Sequence, residues 1–200
     1  MTFIVSHPTG NTFVKALVEE LYQNEQLEYF FTTIGFGENC GEIFYPFKKR
    51  RFYKIPDAKI KRFWHPELLR LFQKGGQEKK RRLVDQIYEK LDHKTSKTIA
   101  VRSGKIIHAY EDGAYQTFRS AKDLEIQCSY ELPIAHWATC RRLLAEEAER
   151  YPEWEPTLES TREPEEKLFL KEEELRLADR ITCPSKFVLD SIPSDIRSRI

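Results

Sequence analysis

The sequence predicts an α/β protein with a parallel sheet covered by helices on both faces. Short apolar or β-branched runs alternate along the chain with amphipathic stretches of helical length, which is the pattern of βαβ units. The 200 residues, 32% charged and 40% hydrophobic, suit a folded domain and exclude collagen-like or wholly disordered chains. No run approaches the ~18 consecutive apolar residues that a membrane-spanning helix needs.

The chain opens with a predicted β-α-β unit. Residues 3–5 form a short apolar strand, and the turn that follows holds His7, Gly10 and Asn11. The side chain of Asn11 is suited to cap the next helix, whose apolar residues recur at helical spacing as far as Gln23. Residues 27–34 are aromatic and β-branched, which is typical of a strand.

A basic segment follows this unit. Residues 48–82 contain 14 basic and 3 acidic side chains. Glycine and proline interrupt 35–63, which predicts a loop with short irregular pieces, and helices are expected from residue 65 and over 78–91. Three interpretations of the charge stay open: phosphate contacts with nucleic acid, contact with anionic lipid, or a solvated loop that the acidic tract at 131–179 can neutralise.

The second half of the chain alternates more regularly. Strands are predicted over 105–110, 126–130 and 180–183, and helices over 114–124, 136–150, 163–178 and 184–191, with a loop at 151–161. Ligands of such sheets bind at the carboxyl ends of the strands. The candidate site is therefore formed by the turns at 6–11, 110–113, 130–136 and 184–186.

The first of these turns, SHPTGN, contains neither G-x-G-x-x-G nor G-K-[ST]. A dinucleotide site and a P-loop are therefore not expected. Its backbone amides and Asn11 still lie at a helix N-terminus, where an anionic or hydroxylated ligand can dock. The alternative is a plain strand-to-helix turn.

The second turn carries two adjacent carboxylates. Glu111 and Asp112 follow Tyr110, and carboxylates in this position can orient a sugar hydroxyl or act as a base. Strand alternation places His108 and Tyr110 on one side of the sheet. The alternative is that Asp112 caps the next helix while Glu111 is solvated.

The third turn repeats this arrangement one strand later. Tyr130 and Glu131 end the strand, and His136 begins the helix. Histidine is a natural general base for a hydroxyl nucleophile, because its pKa lies close to neutral pH. His136 and His7 can face the same cleft; the alternative is a helix-start histidine packed on Trp137.

The cysteines and the N-terminus indicate the compartment. Cys40, Cys128, Cys140 and Cys183 form no C-x-x-C pair, so the usual zinc or redox signature is missing. The opening MTFIVSHPTGN lacks a charged n-region and a long apolar h-region, so a signal peptide is not expected. We expect a cytoplasmic chain with reduced thiols.

Three stretches together resemble a known family: IIHAYEDGAYQTFRSAK, ELPIAHW and LKEEELRLADRITCPSKFVLDSI. They are similar to the N-terminal half of a bacterial family 4 (GT-B) glycosyltransferase. The most specific motif is E-x-x-x-A-D-x-I-x-x-P-S-x-F-V, which runs from Glu174 to Val188. This chain departs from the family where Tyr130 replaces a frequent histidine and where Pro8-Thr9-Gly10-Asn11 replaces a Gly-Gly pair.

The resemblance implies a Rossmann-like acceptor domain over residues 1–200, in which 35–91 is a basic loop and helical insertion. It implies sugar transfer from a nucleotide sugar, a co-substrate, to a sugar or lipid-linked acceptor, with no metal and no tightly bound cofactor. The donor-binding C-terminal domain is missing and would be supplied in cis or in trans, so this chain alone is expected to be inactive. Residues 48–82 could also contact the inner face of a membrane peripherally, whereas nucleic acid is not an expected partner.

The resemblance also assigns roles to the strand-end residues. Glu111 or His136 would orient or deprotonate the acceptor, and Pro184 and Ser185 would lie at the interdomain cleft. The acceptor-binding candidates are His7, Gly10, Asn11, Tyr110, Asp112, Tyr130 and Glu131. The alternative function is a non-catalytic split or truncated module that binds a partner domain or an anionic surface.

Overall fold

The computed structural model describes residues 1–38, 53–64, 76–99, 105–158 and 162–197. Its described strands form one parallel sheet in the order β3-β2-β1-β4-β5-β6. The strands are β1 Phe3–Ser6, β2 Leu27–Thr32, β3 Ile60–Arg62, β4 Ile106–Tyr110, β5 Gln127–Glu131 and β6 Arg180–Thr182. In this doubly wound order the two halves of the sheet grow in opposite directions from β1 and β4, so a crevice opens between those two strands.

Helices connect the strands on both faces of the sheet, which confirms the predicted Rossmann-like α/β class. They are α1 Thr12–Gln23, α2 Gln77–Ile99, α3 Tyr115–Asp123, α4 Trp137–Arg150, α5 Glu165–Leu177, α6 Lys186–Ser191 and α7 Ser194–Arg197. Short 3-10 turns cover Asp57–Lys59 and Pro152–Thr157. The side chain of Asn11 caps α1 as predicted, since its Oδ1 accepts from the amide of Val14 at 2.8 Å.

Strand alternation divides the core into two clusters. On one face Val5 and Phe30 pack with Val18 of α1. On the other face Ile4 and Ile107 belong to a larger cluster that also holds apolar residues of α2, α3, α5 and α6. Apolar side chains therefore fill the space between the sheet and the helices that cover it. The polar residues of the candidate site lie at the carboxyl ends of the strands.

The prediction of a loop over 35–63 is wrong near its end, because residues 60–62 form strand β3. Phe30 of β2 pairs with Ile60, and the side chain of Lys61 extends over the ring of Tyr29. A three-residue edge strand with two basic side chains gives no apolar run, so the hydrophobic pattern could not reveal it.

The helix predicted over 78–91 is also longer, because α2 continues to Ile99. The last turns of α2 bury the polar residues Asp92, Thr95 and Ser96. The spacing of apolar residues therefore did not indicate that the helix continues. The Thr95 hydroxyl donates to the carbonyl of Leu91 at 2.9 Å and contacts the Ser6 hydroxyl at 3.3 Å. The helix predicted from residue 65 lies outside the described residues. So do the first residues of the basic segment, 48–52.

The fold gives the structural frame of the candidate site. Within the described ranges, no helix combines the length and the apolar character that crossing a bilayer requires. The strand ends of β1, β4 and β5 lie side by side, because Ser6 pairs with Ala109 and Tyr110 pairs with Glu131. Side chains that follow these three strands therefore meet at one edge.

Candidate functional site at the switch point of the sheet

A group of polar residues lies at the crevice between β1 and β4. It contains His7 directly after β1, Asn11 at the start of α1, His108 and Tyr110 on β4, and Glu131 at the end of β5. We call these five residues the switch-point cluster. His7, Asn11, Tyr110 and Glu131 were predicted as site residues from their positions at strand ends.

The loop that holds His7 is fixed by hydrogen bonds on both sides. The amide of His7 donates to the carbonyl of Phe31 at 3.0 Å, and the Thr33 hydroxyl donates to the carbonyl of Pro8 at 2.7 Å. The amide of Thr9 then donates to Nδ1 of His7 at 3.1 Å. Gly10 is half-buried in this loop. The imidazole is therefore held in one place by short-range contacts.

His7 is neutral at physiological pH. Its ring packs on that of Tyr110, with the centroids 4.3 Å apart, and only 1% of the residue is exposed. Burial lowers the pKa of His7 to about 4, although the nearby carboxylate of Glu131 acts in the opposite direction. The ring therefore acts as a neutral hydrogen-bonding group.

Glu131 is the charged member of the cluster. Its Oε2 lies 3.5 Å from Nε2 of His108, whose Nδ1 is 2.9 Å from the hydroxyl of Ser129. Burial opposes ionisation of the Glu131 carboxyl, but the hydrogen bond from His108 and the electrostatic influence of His7 and His108 together outweigh it and lower the pKa. Alternation had placed His108 beside Tyr110, whereas sequence reasoning missed Ser129, which has no signal beyond its period-2 spacing from Glu131.

Glu111 and Asp112 point to the other side of the sheet. Together with Glu163, Lys167 and Lys171 they form what we call the buried ion network. Nζ of Lys171 lies 3.3 Å from Glu111, 3.5 Å from Asp112 and 3.3 Å from Glu163. Burial raises the pKa of Glu111 to about 7, against the opposing charge of Lys171. The structure does not bring these two carboxylates to the switch-point cluster.

The alternative in which Asp112 caps α3 and Glu111 is solvated is wrong, because Glu174 of α5 accepts from the first amides of α3 and Glu111 is buried. Oε1 of Glu174 accepts from the amides of Ala114 and Tyr115 at 2.8 and 3.1 Å, and Oε2 accepts from the amide of Asp112 at 3.0 Å. The carboxylate of Asp112 instead faces Lys167 and Lys171. A cap supplied from about sixty residues away leaves no local signal in the sequence.

Two further side chains, Asp92 and Tyr130, support this arrangement. Asp92 of α2 accepts from the amides of Gln116 and Thr117, each at 2.8 Å. The hydroxyl of Tyr130 donates to Oε2 of Glu174 at 2.9 Å. Burial is the largest cause that raises the pKa of Glu174, to about 8. Tyr130 is fully buried in this arrangement, on the face away from the switch-point cluster.

His136 is the N-cap residue of α4 and joins three helices. Its Nδ1 accepts from the amide of Ala138 at 3.3 Å, and its Nε2 lies 3.0 Å from Glu172 of α5. Its own amide donates to Ser191 at the end of α6. The ring packs beside Trp137, with centroids 5.3 Å apart, which is the packed-histidine alternative. His7 instead contacts Asn11 and Tyr110 of the switch-point cluster, so these contacts do not place the two histidines in one cleft.

The motif that carries the family resemblance contains several residues that stabilise the fold. Glu174 caps α3, and Asp179 accepts from the amide of Cys128 at 2.8 Å while pairing with Lys122 at 2.6 Å. Ser185 caps α6 through the amide of Val188 at 3.3 Å, as the predicted helix start requires. Pro184 and Ser185 are both exposed.

Fold and site together define a Rossmann-like α/β domain with a polar cluster at its switch point. The described residues contain no group of three or more His, Cys, Asp or Glu side chains arranged to hold a metal ion. No protein-family model matches the chain, and no curated protein matches it. Solved structures do match, at low sequence identity.

Three of these structures are of proteins whose names contain UDP or a UDP-sugar. A UDP-GlcNAc 2-epimerase from Methanocaldococcus jannaschii is 7% identical with a TM-score of 0.46, and a putative UDP-N-acetylglucosamine 2-epimerase from Listeria monocytogenes is 11% identical with a TM-score of 0.49. Both matches cover 96% of this chain and 41% of the other chain. A UDP-glucosyltransferase from Polygonum tinctorium capable of glucosylating indoxyl is 11% identical with a TM-score of 0.45, covering 92% of this chain and 46% of that one. The chain therefore spans less than half the length of these proteins.

Proposed function

We propose that this chain is the acceptor-binding domain of a GT-B glycosyltransferase, with the acceptor hydroxyl at the switch-point cluster. The observation that carries the proposal is the convergence of His7, Tyr110 and Glu131 from three separate strand ends on the crevice of a doubly wound sheet. The family resemblance of the stretches around Tyr110, Glu131 and Glu174 supports the same assignment.

Within this proposal Glu131 is the residue that contacts the acceptor hydroxyl. Its side chain is 18% exposed, and the lowered pKa keeps it ionised at neutral pH. An ionised carboxylate accepts the hydroxyl proton in a hydrogen bond and can take that proton as the new glycosidic bond forms. His108 is a positioning residue for this carboxylate.

Glu111 and His136, the catalytic candidates of the sequence analysis, take supporting roles in this proposal. Both are buried, and both are engaged with α5, through Lys171 and Glu172 respectively. They hold α5 against the ends of β4 and β5, so they act on the acceptor site through its framework. In this proposal neither Glu111 nor His136 takes the proton of the acceptor hydroxyl.

A second Rossmann domain would bind the nucleotide sugar and neutralise the leaving diphosphate. Transfer needs acceptor activation and leaving-group stabilisation in the same complex. We therefore expect the 200-residue chain to bind an acceptor without turning it over. The exposed edge around Pro184, Ser185 and Phe187, the last 59% exposed, is the surface that such a domain would cover.

The test is an amide chemical-shift map of the chain titrated separately with D-glucose, N-acetylglucosamine, glucose 6-phosphate and UDP-glucose. The proposal expects at least one sugar or sugar phosphate to shift amides at residues 6–11, 108–112 and 129–132. Shifts confined to the amino ends of the strands, or no shift with any of the four compounds, would refute an acceptor site here.

The split-module alternative predicts an apolar docking patch near residues 184–192. Phe187 is exposed, but Val188 and Ile192 are buried and Leu189 is half-buried. A single exposed aromatic side chain is ordinary for a protein surface. This alternative therefore has less support than the acceptor domain.

A further inference from the structure

Three polar side chains lie in one row across the second half of the sheet. The register pairs His108 of β4 with Ser129 of β5, and it pairs Ser129 with Arg180 of β6. Paired residues of neighbouring parallel strands project from the same face of a sheet, with the strands about 4.8 Å apart. A serine hydroxyl is therefore flanked by a histidine on one side and by an arginine on the other.

The contacts of His108 decide which of its ring nitrogens carries the proton. Nε2 lies 3.5 Å from Oε2 of Glu131, and Nδ1 lies 2.9 Å from the hydroxyl oxygen of Ser129. The pKa of Glu131 is lowered, so its carboxylate is ionised at neutral pH and can only accept hydrogen bonds. In the neutral ring the proton is therefore on Nε2, and Nδ1 accepts the proton of the Ser129 hydroxyl.

This arrangement activates the oxygen of Ser129. A serine hydroxyl becomes an effective nucleophile when a neighbouring base accepts its proton and a third group orients that base. His108 is such a base, and Glu131 orients its ring. The contact between these two side chains is long, as hydrogen bonds of this kind often are before a substrate binds.

The face of the sheet that carries Ser129 is open to solvent. Ser129 itself is half-buried, whereas Gln127, Arg180 and Thr182, which project from the same face, are exposed. None of the acidic side chains in the described ranges pairs with Arg180. A ligand can therefore approach Ser129 without displacing the core, and the guanidinium charge is available to it.

We propose that Ser129 is the nucleophile of an acyl-transfer site, with His108 as its general base and carboxylic esters as its substrates. Glu131 is the positioning residue of this site, because it acts through His108. Its Oε2 serves His108, which leaves the other carboxylate oxygen for the acceptor hydroxyl of the proposed function. The esterase site is thus an additional activity of this edge of the sheet.

The reaction has two steps. The Ser129 oxygen bonds to the ester carbonyl carbon as its proton passes to Nδ1 of His108, and the guanidinium of Arg180 stabilises the negative carbonyl oxygen. The bond to the alcohol oxygen then breaks, and this oxygen takes the proton from Nδ1. In the second step a water molecule gives a proton to Nδ1 and bonds to the acyl carbon, and Ser129 leaves with that proton as the free acid forms.

The first experiment locates the ring proton of His108 by NMR of the ¹⁵N-histidine-labelled chain at mildly alkaline pH, which favours a neutral ring. We expect the proton on Nε2. Glu131→Met removes the acceptor that faces Nε2, so the tautomer with the proton on Nδ1 should appear and the reaction of Ser129 should slow. A wild-type ring with its proton on Nδ1 would overturn the proposal, because His108 would then donate to Ser129.

The second experiment treats the chain with a fluorophosphonate probe and, separately, with p-nitrophenyl acetate. Trypsin cleavage after Lys122 and Arg141 gives a peptide whose single serine is Ser129, so mass spectrometry can locate the label. We expect label on Ser129 and release of p-nitrophenol. Ser129→Ala should lose both.

Further variants assign the roles of the neighbouring side chains. His108→Gln should slow acylation about 100-fold or more, because a general base commonly contributes on the order of 100- to 10,000-fold. Arg180→Gln should slow it about tenfold, since an exposed cation stabilises an oxyanion less than a buried donor does. Gln127→Ala, at an exposed position of the same strand and face, is the matched control and should react as the wild type does.

The outcomes separate this proposal from the proposed function. Label on another residue, no reaction with either probe, or ester hydrolysis that survives Ser129→Ala would overturn the esterase site. Equal rates in the wild type and His108→Gln would overturn it as well, and urea unfolding of each variant confirms that a slow variant is folded. The amide shifts caused by sugars are measured without an ester, so their absence would refute the acceptor site and leave the reaction of Ser129 unchanged.

Discussion

Removal of the Glu174 side chain tests how the structure orders the region behind the site. Glu174 is buried, and its carboxylate accepts from the amides of Asp112, Ala114 and Tyr115 and from the Tyr130 hydroxyl. Glu174→Ala leaves these four donors without their acceptor. An unsatisfied buried donor costs about 1–3 kcal/mol, and water that enters the vacated space recovers part of that.

We therefore expect Glu174→Ala to lower the free energy of unfolding by about 4 kcal/mol. The assay is urea unfolding followed by circular dichroism and tryptophan fluorescence in parallel. Glu174→Gln keeps one carbonyl oxygen for the amides of Ala114 and Tyr115, so its loss should be about half as large.

The matched control is Glu173→Ala on the same helix. Glu173 is a third exposed and has one long contact, 3.9 Å, with Arg176. Its removal should cost about 0.5 kcal/mol or less. If Glu174→Ala lost no more stability than Glu173→Ala, the account of a cap supplied by α5 would be refuted.

Three further predictions concern other parts of the molecule. The pKa of His7 is lowered from 6.5 to about 4, so the unfolded chain binds a proton that the folded chain does not between these pH values. The contribution of His7 to stability should be full above pH 6.5 and fall by about 3 kcal/mol as pH falls toward 4; His7→Gln should remove this contribution in pH-dependent urea unfolding, whereas His93→Gln should keep it. Lys171→Met leaves three carboxylates of the buried ion network without that cation, and calorimetry should show a loss of about 3–5 kcal/mol, largely restored by adding Glu111→Gln. Ser185→Ala removes the cap of α6 and should cost about 1 kcal/mol in urea unfolding, with no effect at the exposed Lys186→Ala control site.

Most of the sheet could be predicted from local patterns. The strands at 3–6, 27–32 and 106–110 are short apolar or aromatic runs, the strand at 127–131 alternates between more and less buried side chains, and strand-end turns follow each of them. The alternating order then placed His7, Tyr110 and Glu131 at one edge. Strand β3 was not predicted because its three residues include Lys61 and Arg62. The last turns of α2 were not predicted because their buried residues are polar.

The partners of the site residues could not be predicted in the same way. Tyr110 and Glu111 are neighbours in sequence, but the pleat directs them to opposite faces, where one meets His7 and the other Lys171. Glu174 meets Ala114 across about sixty residues, so the correct cap depends on how α5 packs. Sequence spacing locates such residues at an edge, and only the packing decides what each of them touches.

The central claim is that the switch-point cluster binds an acceptor hydroxyl through Glu131. The most direct measurement is the dissociation constant of the best neutral sugar probe for the wild type, Glu131→Gln and the control Glu166→Gln, whose side chain is exposed on α5. Glu131→Gln keeps the size of the side chain but loses the charged acceptor, so binding should weaken about tenfold or more while the control stays unchanged. Equal affinities in all three proteins would contradict the account.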